Sequence, residues 1–249
     1  IVFGACIGSF MNVCIYRLPL SKSLVSPSRS FCTDSKRPAT LYCHIPVLSY
    51  LLLKGRCSNC KKPISFRYPF VEILSGITAL CVLLKFGLNI DALIYYAFIS
   101  ALTVITFIDI YHQIIPDVIT LPGIPVCFAA TFALQKISFM ESLTGILAGG
   151  GSLYLVGWIY YLVKKEDGMG GGDIKLLAMI GALLGFKGVL FTVFAGSAIG
   201  TAAGIIIMLG TRIMNMKLRI PFGPFLSFGA VLYLFYGNEI ISWYFTLIS

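Results

Sequence analysis

Charge is what this 249-residue chain lacks. Charged residues make up 12% of it, where soluble globular domains carry about a quarter, and only ten are acidic and two are histidine. With 58% hydrophobic residues and a mean hydropathy of +0.91, the shortage excludes an ordinary soluble domain and leaves a polytopic membrane protein. The net charge of +9 does not make it a nucleic-acid binder, because that needs a basic face on a soluble domain and most of the chain offers none. No G-x-G-x-x-G stands in a strand-turn-helix context, which excludes a Rossmann-type cofactor pocket. No small-residue cleavage site precedes residues 16–19, so the first apolar run is not a cleaved signal peptide.

Apolar runs fill most of the rest. Stretches able to span, about 17 to 25 residues each, fall near 1–16, 69–86, 91–108, 117–135, 141–163, 174–186, 188–210 and 222–248, and predict about eight transmembrane helices in an all-α fold. The first is short and the chain lacks a starting Met, so the native N-terminus is expected to have been trimmed or left out. Gly185, Lys187 and Gly188 interrupt the region 174–210, and two spans fit it better than one overlong helix. Lys and Arg number ten in 17–68, three in 164–175 and three in 211–219, against only Lys85, Lys136 and Lys187 in the alternate loops. The positive-inside rule then puts both termini outside and the large loop in the cytoplasm.

That loop is the one candidate soluble domain, of a size at which a metal often assists a small core. Cys6, Cys14, Cys81 and Cys127 lie in spans, where they read as small packing residues. Cys32, Cys43, Cys57 and Cys60 sit together in the loop, where reducing conditions disfavour disulfides. Cys57 and Cys60 form a C-x2-C knuckle that suits tetrahedral zinc. Ser35 stands where a partner for Cys32 is wanted, and Cys43, His44 and Asp34 are alternatives for the fourth ligand.

The scarce acids carry more information, because ionisable groups at membrane depth are costly and usually functional. Asp109 ends the third span, Asp117 follows Pro116, and Asp173 opens the sixth span behind Gly170, Gly171 and Gly172. Asp117 has a good structural alternative as a helix N-cap. Asp173 has a weaker one, since four glycines in five residues exceed what capping needs. Asp109 has the weakest, with no basic residue within a turn. One face of the membrane holds the end of span three and the start of span six, so Asp109 and Asp173 can act as an acid-base pair for hydrolysis. In such a pair one carboxylate takes a proton from water while the other, kept protonated by proximity and poor solvation, donates to a scissile carbonyl, and the two titrate as a unit. Gly170, Gly171, Gly172, Lys175 and Asp117 are the candidates for binding substrate or supporting the pair. Gly196, Gly200 and Gly204 form a small-xxx-small ladder for close helix approach. Pro122 and Pro125 are expected to kink span four, and His112 reads equally as an interfacial hydrogen-bonder or a proton shuttle.

Six ordered blocks resemble one family: "GSFMNVCIYRLP" (8–19), "IPVLSYLLLKGRCSNC" (45–60), "ISFRYPFVE" (64–72), "DIYHQIIPD" (109–117), "GMGGGDIKLLAMIGALLG" (168–185) and "PFGPFLSFGA" (221–230). Together they are similar to the bacterial type IV prepilin peptidases, membrane aspartyl proteases of the GxGD type. The resemblance implies a bifunctional enzyme of the bacterial inner membrane. It would cleave the basic leader of prepilins and pseudopilins after a glycine on the cytoplasmic side, then N-methylate the new N-terminus with S-adenosylmethionine. It also implies that the aspartic dyad falls on Asp109 and Asp173. The family's four-cysteine zinc pattern is matched at Cys32, Cys57 and Cys60 and departed from at Ser35. Domains are then expected at 1–16 (first span), 17–68 (zinc-binding, linked to methyl transfer) and 69–249 (peptidase). Methyl-transfer candidates are polar residues in apolar surroundings, Asn12, Arg17 and Glu72. Two other readings compete. One is a GxGD intramembrane protease with other substrates and no methyltransferase, which needs neither the cysteine loop nor "GSFMNV". The other is an ion-coupled transporter, against which stand two acids at one membrane edge and no visible inverted repeat.

Overall fold

A long apolar run at membrane depth satisfies its backbone polar groups internally as a helix, and helices are what these runs form. The computed structural model describes residues 1–23, 50, 52–53, 55–56, 61–134, 137–166, 170–211 and 221–248. In chain order the helices are α1 (Val2–Arg17), α2 (Arg67–Phe86), α3 (Ile90–His112), α4 (Asp117–Ala130), α5 (Phe139–Lys164), α6 (Gly171–Thr211) and α7 (Gly223–Ile248), with a 3-10 turn at Leu18–Leu20 after α1. An isolated bridge between Arg56 and Pro63 is the one β-type pairing among the described residues. Apart from that bridge, the regular structure among the described residues is all helical. Five segments, Val2–Leu20, Arg67–Phe86, Ile90–His112, Phe139–Lys164 and Gly171–Gly210, are long and apolar enough to cross a membrane, and Asp117–Ala130 and Gly223–Gly237 are shorter apolar helices.

The break expected between spans six and seven is a backbone feature of α6. Gly185 takes φ +69° and ψ −176°, a region open to glycine and strained for any other residue, and it divides α6 into two arms. Helix α4 ends sooner than the apolar run does. It stops at Ala130, where Thr131 Oγ1 donates to the Phe128 carbonyl and the Phe132 and Ala133 amides close three-residue turns. Pro122 and Pro125 both lie inside it. Helix α5 begins at a capping box: the Glu141 amide donates to Ser138 Oγ and the Ser138 amide to Glu141 Oε2.

Two compact units divide the chain, Ile1–Val104 and Ile105–Ser249, with the boundary inside α3. In the first, α1 and α2 touch through small residues, and a methyl group on Gly8 would come 2.7 Å from the Glu72 Cα. Ser75 Oγ donates to the Gly4 carbonyl at 2.7 Å and shares a hydrogen bond with the Tyr96 hydroxyl at 2.8 Å. In the second unit α6 is the centre: Leu176, Leu177, Met179, Ile180, Ala182 and Leu183 are all but inaccessible. It packs against α4, α5 and α7. Gly145 and Gly149 of α5 lie directly against α6 backbone, and Ser142 Oγ donates to the Ala182 carbonyl at 2.5 Å. The expected glycine ladder is partly visible, with Gly196 against the Phe225 carbonyl and Gly200 against its ring. Outer faces are apolar as well, including Tyr154, Leu155, Trp158, Ile159 and Val163 of α5. An exposed apolar surface of that extent suits lipid rather than water.

Candidate active site

The second unit brings the two aspartates together. Asp109 lies in the last turn of α3, which runs on to His112, and its side chain is 5% exposed. Asp173 lies in the first turn of α6, which starts three residues before the span expected at 174, at Gly171. It therefore sits inside the helix rather than at its cap. One side chain joins their surroundings: Ile115 lies against Gly223, whose amide binds Asp109, and against Gly172, the residue before Asp173. Neither makes an ion pair with any described residue, and Asp173 Oδ1 is a buried oxygen without a hydrogen-bond partner.

Asp109 is oriented by a backbone group. The amide of Gly223, first residue of α7, donates to Asp109 Oδ2 at 3.0 Å. A helix N-terminus has unsatisfied amides to offer, and the Gly223 amide reaches the carboxylate because no side chain intervenes. A methyl group on Gly223 would come 2.6 Å from that oxygen. Gly223 stands within the block 221–230, where the sequence assigns it no role. Ile115 stands within the block 109–117, likewise without an assigned role. It sits in the segment between α3 and α4, and its side chain lies against both Gly172 and Gly223.

The supporting candidates sort themselves by geometry. A methyl on Gly172 would meet Ile115 Cβ at 2.7 Å, one on Gly170 would lie 3.6 Å from Asp173 Oδ2, and one on Gly171 would meet nothing within 4 Å. Asp117 is not a side-chain cap. Pro116 holds the cap position, and the Asp117 carboxylate instead receives Lys175 Nζ at 2.7 and 2.8 Å. Residues two apart on a helix do not face each other, so Lys175 is drawn to Asp117 and away from Asp173. Being part-exposed, this pair contributes at most about 1 kcal/mol.

The methyl-transfer candidates belong to the first unit. Asn12 is 2% exposed, its Nδ2 donates to the Tyr68 carbonyl at 3.0 Å, and its Oδ1 is buried without a partner. Glu72 is buried on α2. Arg17, in the last turn of α1, donates from Nη1 to the Ser23 carbonyl. Cys32, Cys43, Cys57 and Cys60 lie outside the described residues, as do Ser35, His44 and Asp34. Among the described residues no group of three or more His, Cys, Asp or Glu is placed to hold a metal. The residues flanking 57–60 are paired, however: Arg56 bridges Pro63, and the Ile64 amide donates to the Gly55 carbonyl at 2.7 Å. Of the cysteines expected to be packing residues, Cys14 and Cys127 are buried and Cys6 and Cys81 exposed.

Both parts of the chain resemble known proteins. Residues 2–86 match the bacterial peptidase A24 N-terminal domain and residues 96–205 match the type IV leader peptidase family. A prepilin leader peptidase/N-methyltransferase of Pseudomonas putida is 33% identical over 96% of this chain and 90% of its own. Proteins of the same name from Aeromonas hydrophila and Legionella pneumophila are 32% and 33% identical, each over 98% of this chain and 92% of the relative. No solved structure matches the chain.

Proposed function

The chain belongs to the type IV leader peptidase family, and from that premise we propose that it is a multi-pass membrane enzyme that cleaves prepilin leaders and N-methylates the product. The observation that carries the proteolytic half is that Asp109 and Asp173, two carboxyls from helices far apart in sequence, come to the same neighbourhood around Ile115, and neither pairs with a cation among the described residues. One carboxylate takes a proton from water as its oxygen attacks the scissile carbonyl carbon, and the protonated partner gives its proton to the carbonyl oxygen. Collapse of the resulting gem-diol then breaks the C–N bond: one hydroxyl returns its proton to the partner carboxylate as C=O re-forms, and the proton taken from water passes to the leaving amine. The amide of Gly223 supports this reading by fixing the direction of one carboxylate in advance of substrate. The substrate is read as the junction between a basic leader ending in glycine and a membrane helix of a type IV prepilin or pseudopilin.

For methyl transfer we read S-adenosylmethionine as the donor, which supplies an electrophilic methyl group. Asn12 Oδ1, a buried acceptor lacking a donor, fits an incoming amine or other N–H group beside Glu72. Arg17 is the third residue of this reading. Zinc is read as held by Cys57, Cys60 and Cys32 with Cys43 as fourth ligand, supported by the paired flanks of the C-x2-C and by thiolate chemistry. The eight-span layout is supported by the Gly185 break and the charge bias of the loops. With it goes the bacterial inner membrane, active site to the cytoplasm.

The test is to incubate purified protein with a prepilin and labelled S-adenosylmethionine. Loss of the leader mass together with label on the new N-terminus is expected. Cleavage without label would leave the GxGD protease reading, and neither event would exclude both.

A further inference from the structure

A hydrocarbon side chain stands close to the Asp109 carboxylate. The point where a Gly223 Cβ would stand lies 2.6 Å from Asp109 Oδ2 and 3.3 Å from Ile115 Cδ1, so methyl and carboxylate flank the same small space. On its other side Ile115 presses on the segment that carries the second aspartate: a Gly172 Cβ would lie 2.7 Å from Ile115 Cβ and 3.5 Å from Cδ1. Ile115 is thus wedged between the glycine that holds Asp109 and the glycine that precedes Asp173. It cannot recede easily. Its β-branch limits its rotamers, Pro116 restricts its backbone to extended conformations, and the Asp117–Lys175 pair fastens the residues just after it to α6. A half-buried isoleucine, held on both sides by residues without side chains, thus stands next to the carboxylate pair.

We propose that Ile115 is a specificity-determining residue, a steric gauge that admits to the dyad only a peptide whose residue on the leader side of the scissile bond lacks a side chain. This rests on the prepilin peptidase reading above and adds to it the residue that enforces the choice of glycine. A substrate with a methyl group at that position meets the Ile115 side chain where the dyad needs the scissile carbonyl. Removing a wall atom relieves that clash and does nothing for glycine. In pockets of this kind one methylene shifts preference by about 10- to 200-fold.

The test uses the full chain in detergent and two prepilins that differ only in glycine or alanine before the scissile bond, with kcat/KM read by mass spectrometry. In Ile115→Ala the ratio of glycine to alanine cleavage is expected to fall at least tenfold, chiefly because the alanine substrate is cut faster. Ile115→Val, which keeps the β-branch and loses Cδ1, is expected to fall in the same direction by less. A ratio unchanged in both variants, with the glycine substrate still cut, would overturn the gauge and leave the proposed function standing. Loss of all cleavage in both variants at wild-type thermal stability would also overturn it, by assigning Ile115 to the support of the dyad. Wild-type protein that leaves the glycine prepilin whole would refute the activity, and the gauge with it.

Discussion

In the unit Ile1–Val104, buried polar groups are spent on helix backbone: Ser75 and Tyr96 converge on the Gly4 carbonyl, and the Asn12 amide nitrogen on that of Tyr68. In the unit Ile105–Ser249, the most expensive groups are left incompletely engaged, since Asp109 is held by one backbone amide and Asp173 keeps a buried oxygen without a partner. Apolar surroundings make every unsatisfied polar atom costly. A fold that completes its hydrogen bonds in one place and withholds them in another therefore marks the second place for chemistry. Asn12 Oδ1 is left without a partner in the first unit, and the same reasoning makes it a candidate there.

The hardest blow to this comparison is aimed at the dyad. Asp109→Asn and Asp173→Asn should each lower the cleavage rate by about 10²- to 10⁴-fold, the usual worth of a positioned acid or base. Methylation of a substrate cut beforehand should be unchanged in both. Cleavage assays on prepilin and label incorporation on pre-cut product separate the two, and retained cleavage in either variant would remove that residue from the catalytic pair.

Next in size is Gly223→Ala. The new methyl group would stand 2.6 Å from Asp109 Oδ2, so the carboxylate or the start of α7 must move. A displacement of about 1 Å at a reacting group costs on the order of 10²-fold. The expected result is a kcat loss of that order with KM little altered, in protein whose thermal unfolding in detergent matches wild type. A fully active Gly223→Ala would show that the Gly223 amide is not needed to direct Asp109.

The sequence made the membrane class, the helix order and the pairing of Asp109 with Asp173 legible, because each leaves a local mark: apolar runs of spanning length, a glycine at a break, acids where acids are rare. Asp117, for which a cap and a functional role were both open, is a case of another kind. A residue after Pro116 and before an apolar run has the pattern of a cap, and only the fold reveals that Lys175, 58 positions on, reaches its carboxylate. Gly223 and Ile115 were hidden for the same reason. Their roles consist in what lies across from them, and a glycine or an isoleucine in this composition carries no flag of its own. Close contacts of Gly145 and Gly149 with α6 were likewise invisible, although the spacing was there to be read.

Asn12→Leu probes that candidate. It removes both the bond to the Tyr68 carbonyl and the unpartnered Oδ1, so label transfer should fall by about tenfold or more if Oδ1 meets a donor during methyl transfer. Cleavage should stay within about twofold, because the dyad is built wholly from the other unit. Equal losses of both activities would make Asn12 a packing residue and dissolve the distinction drawn for it.

The smallest effects should come from hydrogen bonds that join helices without chemistry, one in each unit. Ser75→Ala takes a donor from the Gly4 carbonyl, and Ser142→Ala takes one from Ala182. Interhelical bonds of this type in membranes are worth about 0.6 kcal/mol on average and about 1.7 at most, since the carbonyl finds other partners when the side chain is gone. Each variant should therefore unfold slightly earlier in a detergent titration and retain both activities. The Ser142 variant is the more telling, because α5 and α6 share the unit that holds the dyad. If it lost cleavage as Gly223→Ala does, the positions of Asp109 and Asp173 would depend on the whole helix packing around α6, and the contrast between bonds that hold the fold and groups kept open for reaction would fail within that unit.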